Sequence, residues 1–397
     1  MKTRSFRSHK DERTRLSEAV EGTRMRAEIS ARALIGNYRA IQALVPGLSM
    51  LPMIKADAYG HGAAWAAKTL AREPGLYGLG TATLEEGAEV RAELGPRGRK
   101  IPVLVFSGAL LWTEEKGRYC EYHGLTPVLS SEADWQAFHR QGFTARLPYE
   151  LKFNTGMNRL GMAPGFAAEI ARKLRGIDGS QHPQGILSHL ASGEDPDSRL
   201  SQSQRQKFAA IRTELAGVLP SAHFHLGNSA AIWHQKRWGL EDLTDVVRPG
   251  LSLYGVVPWP GAPARGLVPV MSLQARVAQI RELKPGETIG YGGTYQVSAG
   301  ENRRVAIVTG GYADGLHRMM SNQGSAWLGG QLCRVLGIVS MDLVTVECPP
   351  GVGIGDWVEF LGAGLDPWAQ ARASGTVPYE LLTSVSRRVL RVYPDGA

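Results

Sequence analysis

Short apolar runs rich in β-branched residues alternate with longer amphipathic stretches between about residues 47 and 255. This alternation is typical of parallel βα units. The predicted strands are 50–56, 76–82, 101–107, 125–130, 149–154, 184–190, 222–227 and 245–255. Because eight such units build a closed barrel, the pattern favours an α/β fold of the (β/α)8 TIM type over an open doubly wound sheet.

Two segments between these strands carry the signature of a helix start. The sequences TLEE at 83–86 and SQSQ at 201–204 both have the capping-box spacing, in which a hydroxyl residue precedes Glu or Gln by three positions. The stretch GFAAEIARKL at 165–174 is expected to be one of the intervening helices.

Beyond about residue 266 the pattern changes to short alternating runs separated by Gly and Pro turns, which predicts a mostly β domain. The Pro/Gly-rich stretch 256–266 marks the boundary. We therefore expect a basic, flexible extension over 1–25, a barrel over 26–262 and a C-terminal β domain over 263–397.

Composition narrows the class of protein. Hydrophobic residues make up 43% and charged residues 21%, which is ordinary for a globular protein, and no apolar run approaches the length of a membrane span. The three cysteines are far apart, which suggests neither a disulfide scaffold nor a metal site and fits a cytoplasmic protein. The net charge of +8 comes with no nucleic-acid-binding motif, and it is compatible with an acidic small ligand.

Reactive residues occupy the positions where barrel strands end, which is where barrel enzymes collect their functional groups. These residues are Lys55, Arg159, His189, Asn228, Ser229, Arg248 and Gly250. Lys55 follows an apolar strand, and it is equally consistent with a solvent-exposed lysine and with a partly desolvated amine that can react with a carbonyl cofactor.

The segment HLGNSAAIW places Asn228 and Ser229 at a predicted helix start. A plain helix cap is the simpler interpretation, but the loops after strands 7 and 8 are the usual phosphate site of this fold. Gly250 lies in the next such loop and allows a close backbone approach. A lysine and a phosphate site in one barrel point to pyridoxal 5'-phosphate (PLP).

The motifs MIKADAYGHG, KFNTGMNRLG, HLGNSAA, VRPGLSLYG, IGYGGTY, GGYADG and SMDL resemble, in this order, those of bacterial alanine racemases. They extend from about residue 50 to 343, and RAEISARALIGNYRAI continues the resemblance back to 26. The resemblance implies a PLP-dependent isomerase that interconverts L- and D-alanine, for peptidoglycan synthesis or D-alanine breakdown. It also implies a homodimer with shared active sites.

The resemblance implies a role for each matching residue. Lys55 would form the Schiff base and exchange the Cα proton on the D side, and Tyr291 of the neighbouring subunit would exchange it on the L side. Tyr312 and the neighbouring subunit's Met341 would border the substrate. The phosphate and ring contacts would come from Tyr59, His189, Asn228, Ser229, Gly250 and Leu251.

Elementary chemistry supports a base on each face, because a single base would return the proton to the side it came from. Arg248, unless it forms a surface ion pair, would leave the pyridine nitrogen unprotonated and so favour simple proton exchange. The resemblance further implies that Arg159 contacts the cofactor's phenolic oxygen and the substrate carboxylate. Lys152 is either an ordinary strand lysine or, as the resemblance implies, the counterpart of a lysine that some family members carbamylate to orient this arginine.

Three positions depart from the family pattern: Asn154 and Ser340 replace a common Asp and Cys, and Arg387 stands where several members have a tyrosine near the phosphate. Three rival functions remain at this point. The first is a barrel decarboxylase, which would have an acidic residue in place of Arg248. The second is a non-catalytic PLP carrier, which would lack the C-terminal β domain. The third is a racemase of broader specificity, which would differ from an alanine racemase only in the width of its substrate pocket.

Overall fold

The computed structural model describes residues 22–395. Most of the extension expected over 1–25 therefore lies outside the described residues. The described chain forms two compact units, one of residues 30–270 with 395, the other of residues up to 29 together with 271–394. Within the described residues, none of the helices is both long and apolar enough to cross a bilayer.

The strands of both units are numbered in chain order. They are β1 Met25–Ile29, β2 Ser49–Met50, β3 Leu79–Thr81, β4 Val103–Val105, β5 Thr126–Leu129, β6 Glu150–Lys152, β7 Gly185–Leu187, β8 His223–Asn228, β9 Val246–Arg248, β10 Met271–Leu283, β11 Thr288–Ile289, β12 Tyr295–Gln296, β13 Arg303–Thr309, β14 Ser325–Leu328, β15 Gln331–Arg334, β16 Leu343–Glu347, β17 Trp357–Leu361 and β18 Leu390–Val392.

Strands β2 to β9 form the barrel. They pair in parallel in the order β2-β9-β8-β7-β6-β5-β4-β3, and parallel bridges Met50↔Leu76 and Met53↔Gly80 join the two ends of this sheet. Each of the predicted strands contains one of them or overlaps with it, so the predicted (β/α)8 barrel is confirmed. The interior is filled by a layer of buried apolar side chains, which are Leu51, Leu104, Val128, Leu187 and Val246.

The helices cover the outside of the barrel, and two more lie in the β unit. They are α1 Ala31–Leu44, α2 Ala63–Leu70, α3 Leu84–Leu94, α4 Glu114–His123, α5 Glu132–Arg140, α6 Phe166–Leu174, α7 Arg199–Ala216, α8 Ser229–Trp233, α9 Gln235–Trp238, α10 Leu240–Leu243, α11 Pro367–Ala373 and α12 Pro378–Thr383.

One predicted helix start is confirmed and one is wrong. Thr83 and Glu86 form the predicted capping box of α3. Helix α7 instead begins at Arg199, and the side chain of Ser198 caps it by accepting from the amide of Ser201 at 3.2 Å. Gln204 is consequently inside the helix and fully buried, and its side chain donates to the carbonyl of His189.

The β unit is organised around β10, which pairs antiparallel with β1, β13 and β17. The expected domain limits at 26 and 262 differ from the compact units. Strand β1 belongs to the β unit because its residues pair with β10. The barrel unit extends to Val270 because the buried Asn37 of α1 exchanges two hydrogen bonds of 2.8 Å with the backbone of Val268.

Candidate active site

A left-handed helical turn follows Lys55. The residues Ala56 to Tyr59 have φ between 52° and 54° and ψ between 41° and 52°. For residues other than glycine, this conformation costs about 1–2 kcal/mol each. Such strain persists only where the surroundings hold it in place, and it is concentrated at functional sites.

Two carboxylates hold the turn in this conformation. Glu86 accepts from the amide of Ala56 at 2.8 Å and, with its other oxygen, from the amide of Ala82 at 2.7 Å. Asp57 accepts from the amide of Ala63 at 2.7 Å, which joins the turn to the start of α2. Lys55 therefore lies between the first barrel strand and a turn that these hydrogen bonds hold in place.

The environment of Lys55 lowers the pKa of its amine. Its side chain is exposed at the mouth of the barrel, yet partial desolvation by the surrounding walls and the nearby charge of Arg159 lower its pKa. The negative charge of Glu86 raises the pKa of Lys55 and so opposes these two effects. A neutral amine is the form that can attack a carbonyl carbon.

Lys152 lies inside the barrel with further cations around it. It is buried, and desolvation lowers its pKa to about 8, with smaller contributions from Arg248, Arg159 and Lys55. Lys152, Arg159 and His189 line one crevice. The predicted site residues of strands 5 and 6 are therefore brought together.

Arg248 is buried rather than part of a surface ion pair. One of its terminal nitrogens donates to the carbonyl of Ser188 at 2.5 Å and lies 3.4 Å from Nδ1 of His189. The other has no hydrogen-bond partner among the described residues. Because an unpaired buried N–H is costly, this nitrogen is suited to an acceptor on a bound ligand.

The protonation states of these two groups follow from their burial. Desolvation lowers the pKa of Arg248 to about 10, so the guanidinium remains charged at neutral pH. Desolvation, with Arg248 as the next cause, lowers the pKa of His189 to about 3, so the imidazole is neutral.

The loops after β8 and β9 form a cradle of small groups. The hydroxyl oxygen of Ser229 accepts from the amides of Gly250 at 3.0 Å and Ser252 at 3.5 Å. A Cβ on Gly250 would lie 2.6 Å from the phenol oxygen of Tyr59, so the two loops meet where only glycine fits. Leu251 follows at the start of a buried 3-10 turn. These loops lie where barrels of this type usually bind a phosphate.

Asn228 has a local role in this cradle. Its side-chain oxygen accepts from the amide of Ala231 at 3.0 Å and caps α8. The simpler interpretation of this residue, a helix cap, is therefore what the geometry supports.

The remaining predicted residues lie in the β unit. Tyr291 begins a 3-10 turn, and 74% of its surface is exposed. Tyr312 and Met341 lie on adjacent loops, since the amide of Tyr312 donates to Ser340 at 3.0 Å, and both side chains are about half exposed. Arg387 is exposed as well. Met341 is therefore not a core residue.

Sequence reasoning missed three residues of this site. Glu86 was noticed only as a cap, although it also braces the left-handed turn. Tyr254 stacks on Tyr59 with ring centroids 4.8 Å apart and donates to the carbonyl of Met53 at 2.8 Å. Glu150 is fully buried in the barrel. The sequence offered a signal only for Glu150, a second charged residue beside Lys152 in a predicted barrel strand.

The closed barrel, its lysine and arginine, the anion cradle and the β unit together define a barrel enzyme of cofactor-assisted amine chemistry. Residues 29–258 match the alanine racemase N-terminal domain and residues 270–393 match the alanine racemase C-terminal domain. The chain therefore belongs to the alanine racemase family.

Individual relatives agree over nearly the whole chain. An alanine racemase of Sorangium cellulosum is 35% identical, covering 93% of this chain and 99% of the relative. The crystal structure of the alanine racemase of Streptomyces lavendulae has a TM-score of 0.81 at 30% identity, covering 94% and 98%. That of Bartonella henselae, with covalently bound pyridoxal phosphate, has a TM-score of 0.79 at 28% identity, covering 94% and 99%.

Proposed function

We propose that this protein interconverts L- and D-alanine with PLP as its cofactor. The observation that carries the proposal is the convergence, in one barrel, of a lysine with a lowered pKa and a buried arginine with a terminal nitrogen that lacks a partner. Both belong to a chain of the alanine racemase family.

The residues present fit the cofactor. Lys55 would hold it covalently, and the hydroxyls of Tyr59 and Ser229 with the amides of Gly250 and Leu251 would hold its phosphate. The free nitrogen of Arg248 would meet the pyridine nitrogen, and the neutral His189 would lie against the ring, with Asn228 nearby. When bound, PLP supplies an electron-withdrawing ring that makes the substrate's Cα proton acidic.

Two groups of the protein would then move this proton. The amine of Lys55 exchanges it on the D face and the phenol of Tyr291 on the L face, so that each face of Cα has its own base. Arg248 remains charged at neutral pH and would disfavour protonation of the pyridine nitrogen. It therefore limits how much charge the ring withdraws, which favours proton exchange over decarboxylation and transamination.

Arg159 would hold the substrate carboxylate and the phenolic oxygen of the cofactor. The lowered pKa of Lys152 gives it a substantial neutral fraction near pH 8, and only the neutral amine can take up carbon dioxide. We therefore propose that Lys152 is carbamylated and that its new carboxylate orients Arg159.

We also propose a homodimer in which Tyr291 and Met341 complete the partner's active site, with Tyr312 at the substrate. The support is the family together with the exposure of these side chains on the β unit, 74% for Tyr291 and 51% for Met341, which leaves them available to a partner. A cytoplasmic location and a role in supplying or degrading D-alanine are proposed from the cysteine content and the family.

Borohydride reduction tests the cofactor assignment. The purified protein should be yellow, and reduction followed by peptide mapping should place the cofactor on Lys55. The variant Lys55→Ala should lose both signals, whereas Lys68→Ala, which removes a surface lysine paired with Glu93, should keep them. A protein that takes up no PLP would refute the proposal.

Mixing variants tests the shared active site. The variants Lys55→Ala and Tyr291→Phe should each have little activity. When they are unfolded and refolded together, roughly a quarter of the wild-type activity should return, because half of randomly paired dimers are mixed and each mixed dimer has one intact site. If no activity returns while mixed dimers are detected, Tyr291 does not act in the partner's site.

The stereochemical assignment has its own readout. Tyr291→Phe should lose proton exchange from L-alanine much more than from D-alanine, while Tyr122→Phe, at another exposed tyrosine, should change neither. Equal loss from both enantiomers would contradict the two-base assignment. A panel of L-amino acids tested for D-product would separate an alanine racemase from one of broader specificity.

A further inference from the structure

His61 lies two residues after Tyr59, in the motif that carries Lys55, and its side chain is fully buried. Its Nδ1 lies 2.9 Å from the carbonyl oxygens of both Ala58 and Tyr59. Because a carbonyl oxygen can only accept, Nδ1 carries a proton and donates it to a hydrogen bond that the two oxygens share. The imidazole of His61 therefore bonds the backbone of the left-handed turn.

This donor holds the end of the turn that carries Tyr59. Ala58 and Tyr59 both have a φ of 54°, in the left-handed region that residues other than glycine rarely adopt. Glu86 and Asp57 hold other parts of the turn by accepting from backbone amides. His61 instead supplies a donor to carbonyl oxygens, and these belong to the last two strained residues.

The ring of His61 also belongs to an aromatic stack. It lies against Tyr254 with ring centroids 4.5 Å apart and an interplanar angle of 26°. Tyr254 in turn lies against Tyr59 with centroids 4.8 Å apart and an angle of 30°. All three side chains are buried, and the phenol of Tyr254 is fixed by its bond to the carbonyl of Met53. His61 and Tyr59 therefore share one stacking partner.

The phenol of Tyr59 reaches the anion cradle at a narrow point. Its oxygen would lie 2.6 Å from a Cβ on Gly250, and the amide of Gly250 donates to the hydroxyl of Ser229 at 3.0 Å. A phenol that must stop at this point needs both its backbone and its ring held in place. His61 contacts the backbone of Tyr59 directly and supports its ring through Tyr254.

We propose that His61 is a positioning residue for Tyr59. By bonding the turn and supporting Tyr254, it sets where the phenol of Tyr59 lies and so how tightly a phosphate group is held in the cradle. The proposal rests on the proposed function, because it takes the cradle to bind the cofactor's phosphate. Its alternative is that His61 only fills the core, in which case its loss would weaken phosphorylated and unphosphorylated ligands alike.

Two ligands that differ only in their phosphate, pyridoxine 5'-phosphate and pyridoxine, test the proposal by calorimetric titration of cofactor-free protein. His61→Phe keeps a ring for the stack and removes the donor. It should raise the Kd for pyridoxine 5'-phosphate about threefold to tenfold, as for one neutral hydrogen bond, and leave that for pyridoxine within about twofold. The control His139→Phe, at a histidine stacked on Trp135 of α5, should change neither. An equal rise for both ligands would overturn the proposal.

A double-mutant cycle tests whether His61 acts through Tyr59. Tyr59→Phe removes the hydroxyl that would contact the phosphate and should raise the Kd by itself. In this background, His61→Phe should change the Kd for pyridoxine 5'-phosphate by less than about twofold, because no hydroxyl remains to be positioned. An effect as large as that in the otherwise wild-type protein would mean that His61 does not act through the phenol.

The bond to the turn has a readout that needs no ligand. His61→Asn can place its amide nitrogen near the position of Nδ1, whereas His61→Leu has a similar size and no donor. Hydrogen exchange followed by mass spectrometry should find the amides of residues 56–63 better protected in His61→Asn than in His61→Leu. Equal protection would refute the role of the donor. If His61→Phe does not fold, the same pair replaces it: His61→Asn should bind pyridoxine 5'-phosphate more tightly than His61→Leu, and equal Kd values would contradict the proposal.

The outcomes separate this proposal from the proposed function. A wild-type protein that binds neither PLP nor pyridoxine 5'-phosphate refutes the proposed function, while hydrogen exchange still decides whether His61 holds the turn. A wild type that binds both, beside a His61→Phe variant with unchanged Kd values, would overturn the positioning role alone.

Discussion

Replacing Gly250 with alanine is expected to damage cofactor binding without unfolding the barrel. The added Cβ would lie 2.6 Å from the phenol oxygen and 3.4 Å from Cζ of Tyr59, whereas ordinary contacts begin at 3.4 Å. The phenol must therefore retreat by about 0.8 Å. Its ring cannot do so freely, because it is buried and stacks on Tyr254.

The size of the effect follows from the contact that is lost. A hydrogen bond to a charged group contributes about 1.5–3 kcal/mol, so losing that between Tyr59 and the phosphate should raise the Kd for PLP about 10- to 150-fold. The stability of the protein without cofactor should change much less, because the phenol faces the cradle and not the apolar core.

The assay is an absorbance titration of cofactor-free protein with PLP, together with denaturant unfolding of the same samples. The matched control is Gly36→Ala in the middle of α1, where an added Cβ meets nothing within 4 Å. That change should raise the free energy of unfolding by about 0.5–1 kcal/mol and leave the Kd unchanged. A Kd for Gly250→Ala within about twofold of the wild type would refute the reasoning.

Three further predictions concern charges in the site. In buffer free of carbon dioxide, the free energy of unfolding of the cofactor-free protein should rise by up to about 3 kcal/mol between pH 8 and 10.5. The reason is that the unfolded chain still binds the proton that Lys152 has released in the folded protein. Lys152→Met should remove this rise in a pH series of denaturant melts. Glu86→Gln should move the midpoint for acetylation of Lys55 to lower pH, since Glu86 raises the pKa of that lysine, and peptide mass spectrometry that finds the same midpoint would contradict this. Arg248→Glu should increase pyruvate formed per racemisation event, and an unchanged ratio would remove the proposed role of this arginine.

Much of the barrel could be predicted from the sequence because its signals are local. Each parallel strand is an apolar run, and runs separated by helical stretches define the order of the strands without knowledge of their contacts. The order of the predicted strands also placed Lys55, Arg159 and Arg248 at strand ends, and the family motifs agreed with these positions. The TLEE cap of α3 was also predictable, since both partners lie within one turn.

The predictions that failed depended on pairings distant in the chain. The SQSQ segment has the same local pattern as a cap, but the helix begins earlier, at Ser198, and Gln204 is used to bond His189. The barrel domain was expected to begin at residue 26, but residues 25–29 form a strand that pairs with one that starts at Met271. No local pattern distinguishes these alternatives.

The sequence by itself determined the repeating βα order, the presence of a β-rich C-terminal part and the kinds of reactive groups available. Only the tertiary structure decided that Ala56 to Tyr59 form a left-handed turn, because an unfavourable backbone conformation is stable only where partners such as Glu86 hold it. Likewise, only the closed barrel brings Lys152, Arg159 and His189 to one crevice. Burial and neighbouring charges set the pKa of an ionisable side chain, and both arise when strands distant in sequence become neighbours.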